Sequence, residues 1–304
     1  MVVFARSDAA LWPWCLPGVC WFSGPACGCA GLKFSLSSYL WPWRHAALIA
    51  QFVAREVQAR YRQSWLGTLW ALLTPLLMLA VFTFVLRFVF KLRWAGEAAG
   101  TGGESDLVYA LRVYAGLAVF YFFSECVSRA PRLILDQPHL VKKVIFPLEI
   151  LPWVSALASF VQLGVGMLVL LGLSAWAHGG LPLTVLALPL VWLGLLPLCV
   201  GLGWLLAALG TFVRDVVQVV GLVLSLLMFL SPVFFPLEAL PPAAMPWALL
   251  NPLAIPITLT REVVLEGLWP RWELWLLHVL ASLCLAVLSA LFFSRARRGF
   301  ADVV

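Results

Sequence analysis

The sequence predicts an all-α polytopic membrane protein, and two observations carry that expectation. The chain of 304 residues is 63% hydrophobic and only 11% charged, whereas a soluble domain carries about 25% charged residues. That much apolar surface does not fit inside one water-facing body, so lipid must solvate most of it. The second observation is local: no Asp, Glu, Lys or Arg occurs between Glu149 and Arg214. At about 1.5 Å per helical residue this stretch far exceeds one crossing of a roughly 30 Å hydrocarbon core. HGGLP at 178–182 supplies the break that two crossings need. The net charge of +6 and pI near 9.1 therefore report orientation and not nucleic acid, since cytoplasmic segments concentrate Lys and Arg.

Residues 1–43 read as a poorly structured, dispensable extension. They hold Cys15, Cys20, Cys27 and Cys29 in a spacing that lacks C-x-x-C pairs, with Pro and Gly too frequent for a helix. Residues 44–62 follow as an amphipathic helix. Ile49, Val53, Val57 and Tyr61, with Phe52, form one face, and Gln51, Arg55, Gln58 and Arg62 the other. Such a helix is expected to lie in the membrane interface, apolar face toward lipid.

Within the 44–304 domain we place six transmembrane helices, at about 64–90, 107–128, 151–177, 182–210, 216–236 and 273–294. The second contains Arg112 and Glu125, thirteen residues apart. They are expected near opposite faces of the bilayer, where long side chains snorkel to water. Residues 237–260 are apolar but rich in proline, which removes backbone hydrogen bonds and obstructs the preceding turn. A re-entrant or interfacial pair of short helices is expected there, between the fifth and sixth crossings.

With the N-terminus inside, Arg44, Arg55, Arg60, Arg62, Arg129, Arg132, Lys142, Lys143, Arg214, Arg295, Arg297 and Arg298 all fall on the inner side. Arg87, Lys91, Arg93, Arg112, Arg261 and Arg271 fall outside. The majority favours both termini cytoplasmic.

Catalytic patterns are missing from the sequence. It has no G-x-x-x-x-G-K-[ST] phosphate loop, no G-x-S-x-G and no H-E-x-x-H. The four histidines are scattered, and His278, inside the sixth crossing, is expected to make an interhelical hydrogen bond. No metal site is expected. Intramembrane acidic residues of the kind ion-coupled transporters use do not recur.

Five stretches taken together resemble the permease subunit of type-2 ABC exporters, in the branch that exports polysaccharides such as O-antigen, capsule or teichoic acid. They are REVQARYRQSWLGTLWALLTPLL at 55–77, with Arg60, Tyr61, Arg62, Ser64, Leu66, Gly67, Trp70 and Pro75, then LVKKVIFPLEILP at 140–152 and TFVRDVVQV at 211–219. SPVFFPLEALP, NPL and TREVVLEG follow, with Pro232, Pro236, Asn251, Pro252, Arg261 and Gly267, and RRGFADVV closes the chain. Gln137 stands where the family often has Asn, and Leu148 where it often has a basic residue.

The resemblance implies the following roles. Residues 129–149 lie on the cytoplasmic side and dock on a separate ATPase through Arg129, Arg132, Leu140, Val141, Lys142, Lys143, Phe146, Pro147 and Glu149. Leu133, Ile134 and Leu135 extend the apolar patch offered to that partner. Arg55, Arg60, Tyr61 and Arg62 form the interfacial helix that leads into the first crossing. Arg214 and Asp215 make a cytoplasmic turn, and Asn251, Pro252 and Arg261 belong to the re-entrant segment. No cofactor is bound by this chain, and ATP and Mg²⁺ sit on the partner. Two copies of the chain and two ATPase subunits assemble in a bacterial inner membrane around a polysaccharide or glycolipid cargo.

Aromatic residues give the hint about the path. Trp70, Phe84 and Phe88 share one side of the first crossing, and Phe229, Phe234 and Phe235 gather near the end of the fifth. Ring faces stack on sugars without demanding one hydroxyl pattern, and the same residue types also serve membrane belts. The competing readings are a type-2 permease for a lipid, drug or other small molecule, a membrane enzyme of glycan assembly, and a scaffold without transport.

Overall fold

The computed structural model describes residues 39, 42–61, 67–85, 106–141, 146–239, 241, 243 and 245–303. Among these residues every regular element is helical. In chain order they are α1 (Ala46–Tyr61), α2 (Trp70–Thr83), α3 (Asp106–Arg129), the short α4 (Pro138–Val141), α5 (Leu151–His178), α6 (Leu188–Leu193), α7 (Leu195–Phe212), α8 (Val216–Leu230), α9 (Met245–Leu250), α10 (Ala254–Arg261), α11 (Trp272–Ala296) and the terminal α12 (Phe300–Val303).

Among the described residues, four helical stretches are long and apolar enough to cross a membrane: Leu107–Arg132, Leu148–His178, Leu183–Phe212 and Trp272–Gly299. They match the second, third, fourth and sixth expected crossings. The described parts of the first and fifth, α2 and α8, are shorter apolar helices. Between α8 and α11 the proline-rich segment forms a 3-10 turn at Leu237–Ala239, then α9 and α10, and no long straight helix. The loss of amide donors to proline accounts for the short pieces.

Local chemistry marks the boundaries of α5. Pro152 occupies the first turn, where its missing N–H is no loss, and Gly179 closes the helix at φ 73 in the left-handed region. HGGLP is therefore a helix stop, as its composition predicts. The stretch continues through the 3-10 turn Leu183–Ala187 into α6 and α7.

In a bilayer, lipid tails are as apolar as leucine, so helices associate through close van der Waals fit. The crossing of α7 and α11 uses it: a Cβ added at Gly201 would stand 2.8 Å from the Ala286 Cα. The buried centre is α3 against α5 and α7, with Leu111, Leu117, Leu170, Leu195 and Trp204 fully enclosed.

Three expectations change on contact with the fold. The apolar face of α1 does not simply face lipid. Ile49 is buried against Ile150 and Val154 at the start of α5, with Phe52 and Val53 packed alongside. Tyr39, assigned to the extension, is a buried core residue with its ring edge-on to Trp204 and Phe293. Arg112 and Glu125 are not left to snorkel; each is held by an ion pair at its own end of α3.

Candidate functional site

The ends of the bundle carry the polar chemistry. At the proximal end, the last turns of α1 and α3 and the first turn of α5 meet the end of α11. Arg60 on α1 pairs with Glu125 on α3 at 2.5 Å and lies 3.4 Å from the Ser159 hydroxyl of α5. Glu125 also faces Arg129 at 3.6 Å, and Arg129 pairs with Glu56 at 2.7 Å. These four residues alternate in charge and lace α1 to α3. Partial burial makes such pairs less screened than surface ones. Beyond them an open cleft of about 580 Å³ is lined by Phe52, Arg55, Glu56, Arg129, Arg132 and Asp136, among others.

A second proximal node lies beside the segment that leaves the 129–149 loop. Arg297, just past α11, donates to a Glu149 carboxylate oxygen at 2.7 Å and to the Phe146 carbonyl at 3.1 Å. The Glu149 carbonyl accepts from the Trp204 indole at 3.1 Å, and the Tyr39 carbonyl accepts from Trp153 at 2.9 Å. Burial, and after it the Glu149 carboxylate, raise the Tyr39 hydroxyl pKa above its ordinary value of 10.0.

The distal end uses arginine differently. The Arg261 side chain is buried and donates to three backbone carbonyls: Arg112 at 2.9 Å, Pro232 at 2.6 Å and Val233 at 2.5 Å. Gly116 makes room for it, since a Cβ there would meet the guanidinium at 2.8 Å. Asn251 donates to the Ser231 hydroxyl and accepts from the Leu253 amide, both at 2.9 Å. Pro252 stands half-buried between them. Two ion pairs, Arg112–Glu266 at 3.5 Å and Arg271–Glu262 at 2.5 Å, complete this end. Residues Glu262–Glu266 form a π-helical turn closed by Gly267 at φ 66. The re-entrant residues singled out by sequence thus converge on the turn after α8.

The expected coupling residues are brought together in part. Arg129 and Arg132 flank the 3-10 turn Ala130–Arg132. Phe146 packs on Phe52 of α1, ring centroids 5.8 Å apart, and Pro147 precedes the 3-10 turn Leu148–Ile150. Leu140 and Val141 lie on α4, while Lys142 and Lys143 fall outside the described residues. The apolar patch is smaller than expected. Ile134 is fully buried and Leu133 packs on the core, because the turn after α3 folds back against the end of α7. On α1, Arg55 is exposed and rests over the Phe52 ring at 5.8 Å. Tyr61 closes that helix, and Arg62 lies outside the described residues. Arg214 and Asp215 are exposed in the tight turn between α7 and α8.

Of the aromatic path residues, Trp70 is 38% exposed, Phe84 61% and Phe229 70%, while Phe235 is half-buried; Phe88 falls outside the described residues. The ring that joins α2 to the end of α8 is Phe82, whose centroid lies 5.8 Å from Phe234, itself 6.4 Å from Phe229. Sequence reading passed over Phe82. Its signal was the i, i+4, i+7 row Pro75, Leu79, Phe82, the inward face of α2. Glu56 and Arg297 were missed as site residues because their partners stand far away in sequence. His278 is buried, but among the described residues its Nε2 has no hydrogen-bond partner, so the expected interhelical bond is not found at that atom.

Comparison with known proteins agrees with this architecture. Residues 47–265 match the family described as ABC-2 type transporter. An O-antigen export system permease protein, RfbA, of Myxococcus xanthus is 29% identical over 269 residues, covering 86% of this chain and 97% of the relative. A protein of the same name from Klebsiella pneumoniae is 20% identical over 267 residues, 84% of this chain and 95% of the relative. The polysialic acid transport protein KpsM of Escherichia coli is 26% identical over 220 residues, 70% of this chain and 79% of the relative. The match runs from α1 into the π-helical turn before Gly267, and so takes in the Glu56–Arg129–Glu125–Arg60 lacing and the Arg261 clamp. This chain belongs to the ABC-2 type transporter family.

Proposed function

We propose that this chain is the permease subunit of an ATP-driven exporter that moves a polysaccharide, carried on a lipid, across the cytoplasmic membrane. The observation that carries the reading is the near end-to-end similarity to permeases named for O-antigen export. The chain crosses the membrane six times, with α2 and α8 in the first and fifth crossings. Both termini and the proximal end face the cytoplasm, in keeping with the positive-inside rule. Residues 1–43 lie outside the transport domain except for the anchor at Tyr39.

Two copies place their α2 and α8 faces together, and two ATPase subunits bind beneath residues 129–149. The exposed apolar residues of α2 and α8 support the shared face: Leu72, Leu77, Val81 and Phe84 on one, Leu222, Leu226, Phe229 and Leu230 on the other. ATP binding closes the ATPase pair. The movement passes through α4 and the Phe146–Ile150 turn into α5, and through the Glu56–Arg129–Glu125–Arg60 lacing into α1. Allosteric coupling requires an element with two arrangements that both sites bias; Glu125, within reach of both Arg60 and Arg129, is the candidate.

The test is to tag the chain in its source organism and identify what co-purifies. A separate polypeptide bearing a phosphate loop, and loss of surface polysaccharide when the permease gene is deleted, are the expected results. A permease that purifies alone, with surface polysaccharide unaffected by deletion, overturns the reading. Within it, Trp70→Ala and Phe84→Ala slow export while membrane levels stay constant; normal export from both removes the path assignment.

A further inference from the structure

We infer that Arg297 is a positioning residue for energy coupling: it ties the segment leaving the 129–149 loop to α11, so that force applied to the loop reaches the C-terminal half of the bundle. The inference rests on the permease reading above and concerns a contact that reading does not require. Its ground is the proximal node.

Arg297 spans two groups, the Glu149 carboxylate 148 positions away and the Phe146 carbonyl 151 positions away, with its two terminal nitrogens. A planar guanidinium can hold both in fixed directions, whereas an ammonium is a single point of attachment. Glu149 has 12% side-chain exposure and Arg297 31%, so the pair is shielded from solvent. The same node includes Tyr39, whose hydroxyl feels the Arg297 charge and whose ring wedges between Trp204 of α7 and Phe293 of α11. Trp204 in turn donates to the Glu149 carbonyl. Glu149 is thus held by its side chain from α11 and by its backbone from α7, and Phe146 by its carbonyl from α11 and by its ring from α1.

Pulling on Phe146 therefore moves α1 and α11 together. If Arg297 lets go, the loop can still bind a partner, but its displacement is absorbed at the Pro147 turn. Stability alone would call for a contact anywhere on α11. A bidentate tie placed at the exit of the loop is what transmission calls for.

The experiment uses the permease co-expressed with its ATPase, in cells and after purification of the complex. Arg297→Gln is expected to leave co-purification and ATP hydrolysis near wild type while lowering surface polysaccharide by about fivefold or more. Arg297→Lys, a single point of attachment that cannot hold both acceptors in fixed directions, gives an intermediate level. Wild-type export from Arg297→Gln overturns the inference. So does a fall in membrane level that accounts for the whole loss of export, which would make the tie a folding contact only. These outcomes stand apart from failure of the permease reading, which shows already in the unmutated protein as no ATPase recovered.

Discussion

The two ends of the helical bundle both use arginine, in different proportions of carbonyl and carboxylate partners. At the distal end one buried guanidinium is spent on three backbone carbonyls. At the proximal end guanidinium groups meet carboxylates on other helices, and one carboxylate, Glu125, faces two of them. A guanidinium shared among three fixed backbone carbonyls is held in one geometry. Alternating charges offer nearly equal pairings, so helices can shift and stay paired. The distal end adds the pairs Arg112–Glu266 and Arg271–Glu262, so what sets it apart is the buried clamp.

Substitutions can break or sharpen this contrast, and the largest effect is expected at the clamp. Arg261→Met strands three carbonyls in a place without water. Hydrogen bonds to a charged group contribute about 1.5–3 kcal/mol each, so the loss should exceed about 3 kcal/mol. A sharp fall in folded membrane protein, or a large drop in melting temperature followed by tryptophan fluorescence, is the expected reading. An unchanged melting point would end the claim that the distal cap is rigid.

Midway between the ends, Gly201→Leu forces α7 and α11 apart at Ala286. Overpacking of a close crossing costs about 1–3 kcal/mol. The same melting measurement checks it, and an effect larger than that of Arg261→Met would shift the weight of stability from the cap to the crossing.

Glu125→Gln at the proximal end comes next. Its pairs are partly exposed, so the expected stability change is about 1 kcal/mol or less, while export falls by clearly more than the membrane level does. Loss of stability without a separate loss of export would erase the proposed difference between the ends. The smallest effect belongs to Leu222→Ala on the exposed face of α8, 65% exposed in the protomer. A change within about 0.5 kcal/mol in the detergent-solubilised protomer is expected, and a larger one would mean that this face packs inside the protomer.

Much of the plan was legible from residue types. The long charge-free run, its HGGLP stop and the prolines around 237–260 each act within a few residues, through helix geometry and lost amide donors, and the helices appear where those rules place them. The basic residues also sort as expected: Arg60, Arg129 and Arg297 gather at one end, and Arg112, Arg261 and Arg271 at the other. The aromatic path was half legible. Trp70 and Phe84 were visible as large apolar side chains, but Phe82, the ring that touches Phe234, differs from them only in the direction it points.

What the sequence determined by itself is the solvent of this protein, the order and ends of its helices, and the family to which its ordered motifs belong, because hydropathy, proline and glycine act locally. What only the tertiary structure decided is which charges meet. Glu149 and Arg297 are 148 positions apart, and the Arg261 guanidinium donates to the Arg112 carbonyl across 149. The partner of an intramembrane charge is set by how helices dock, a property of packed surfaces that no short stretch of chain contains.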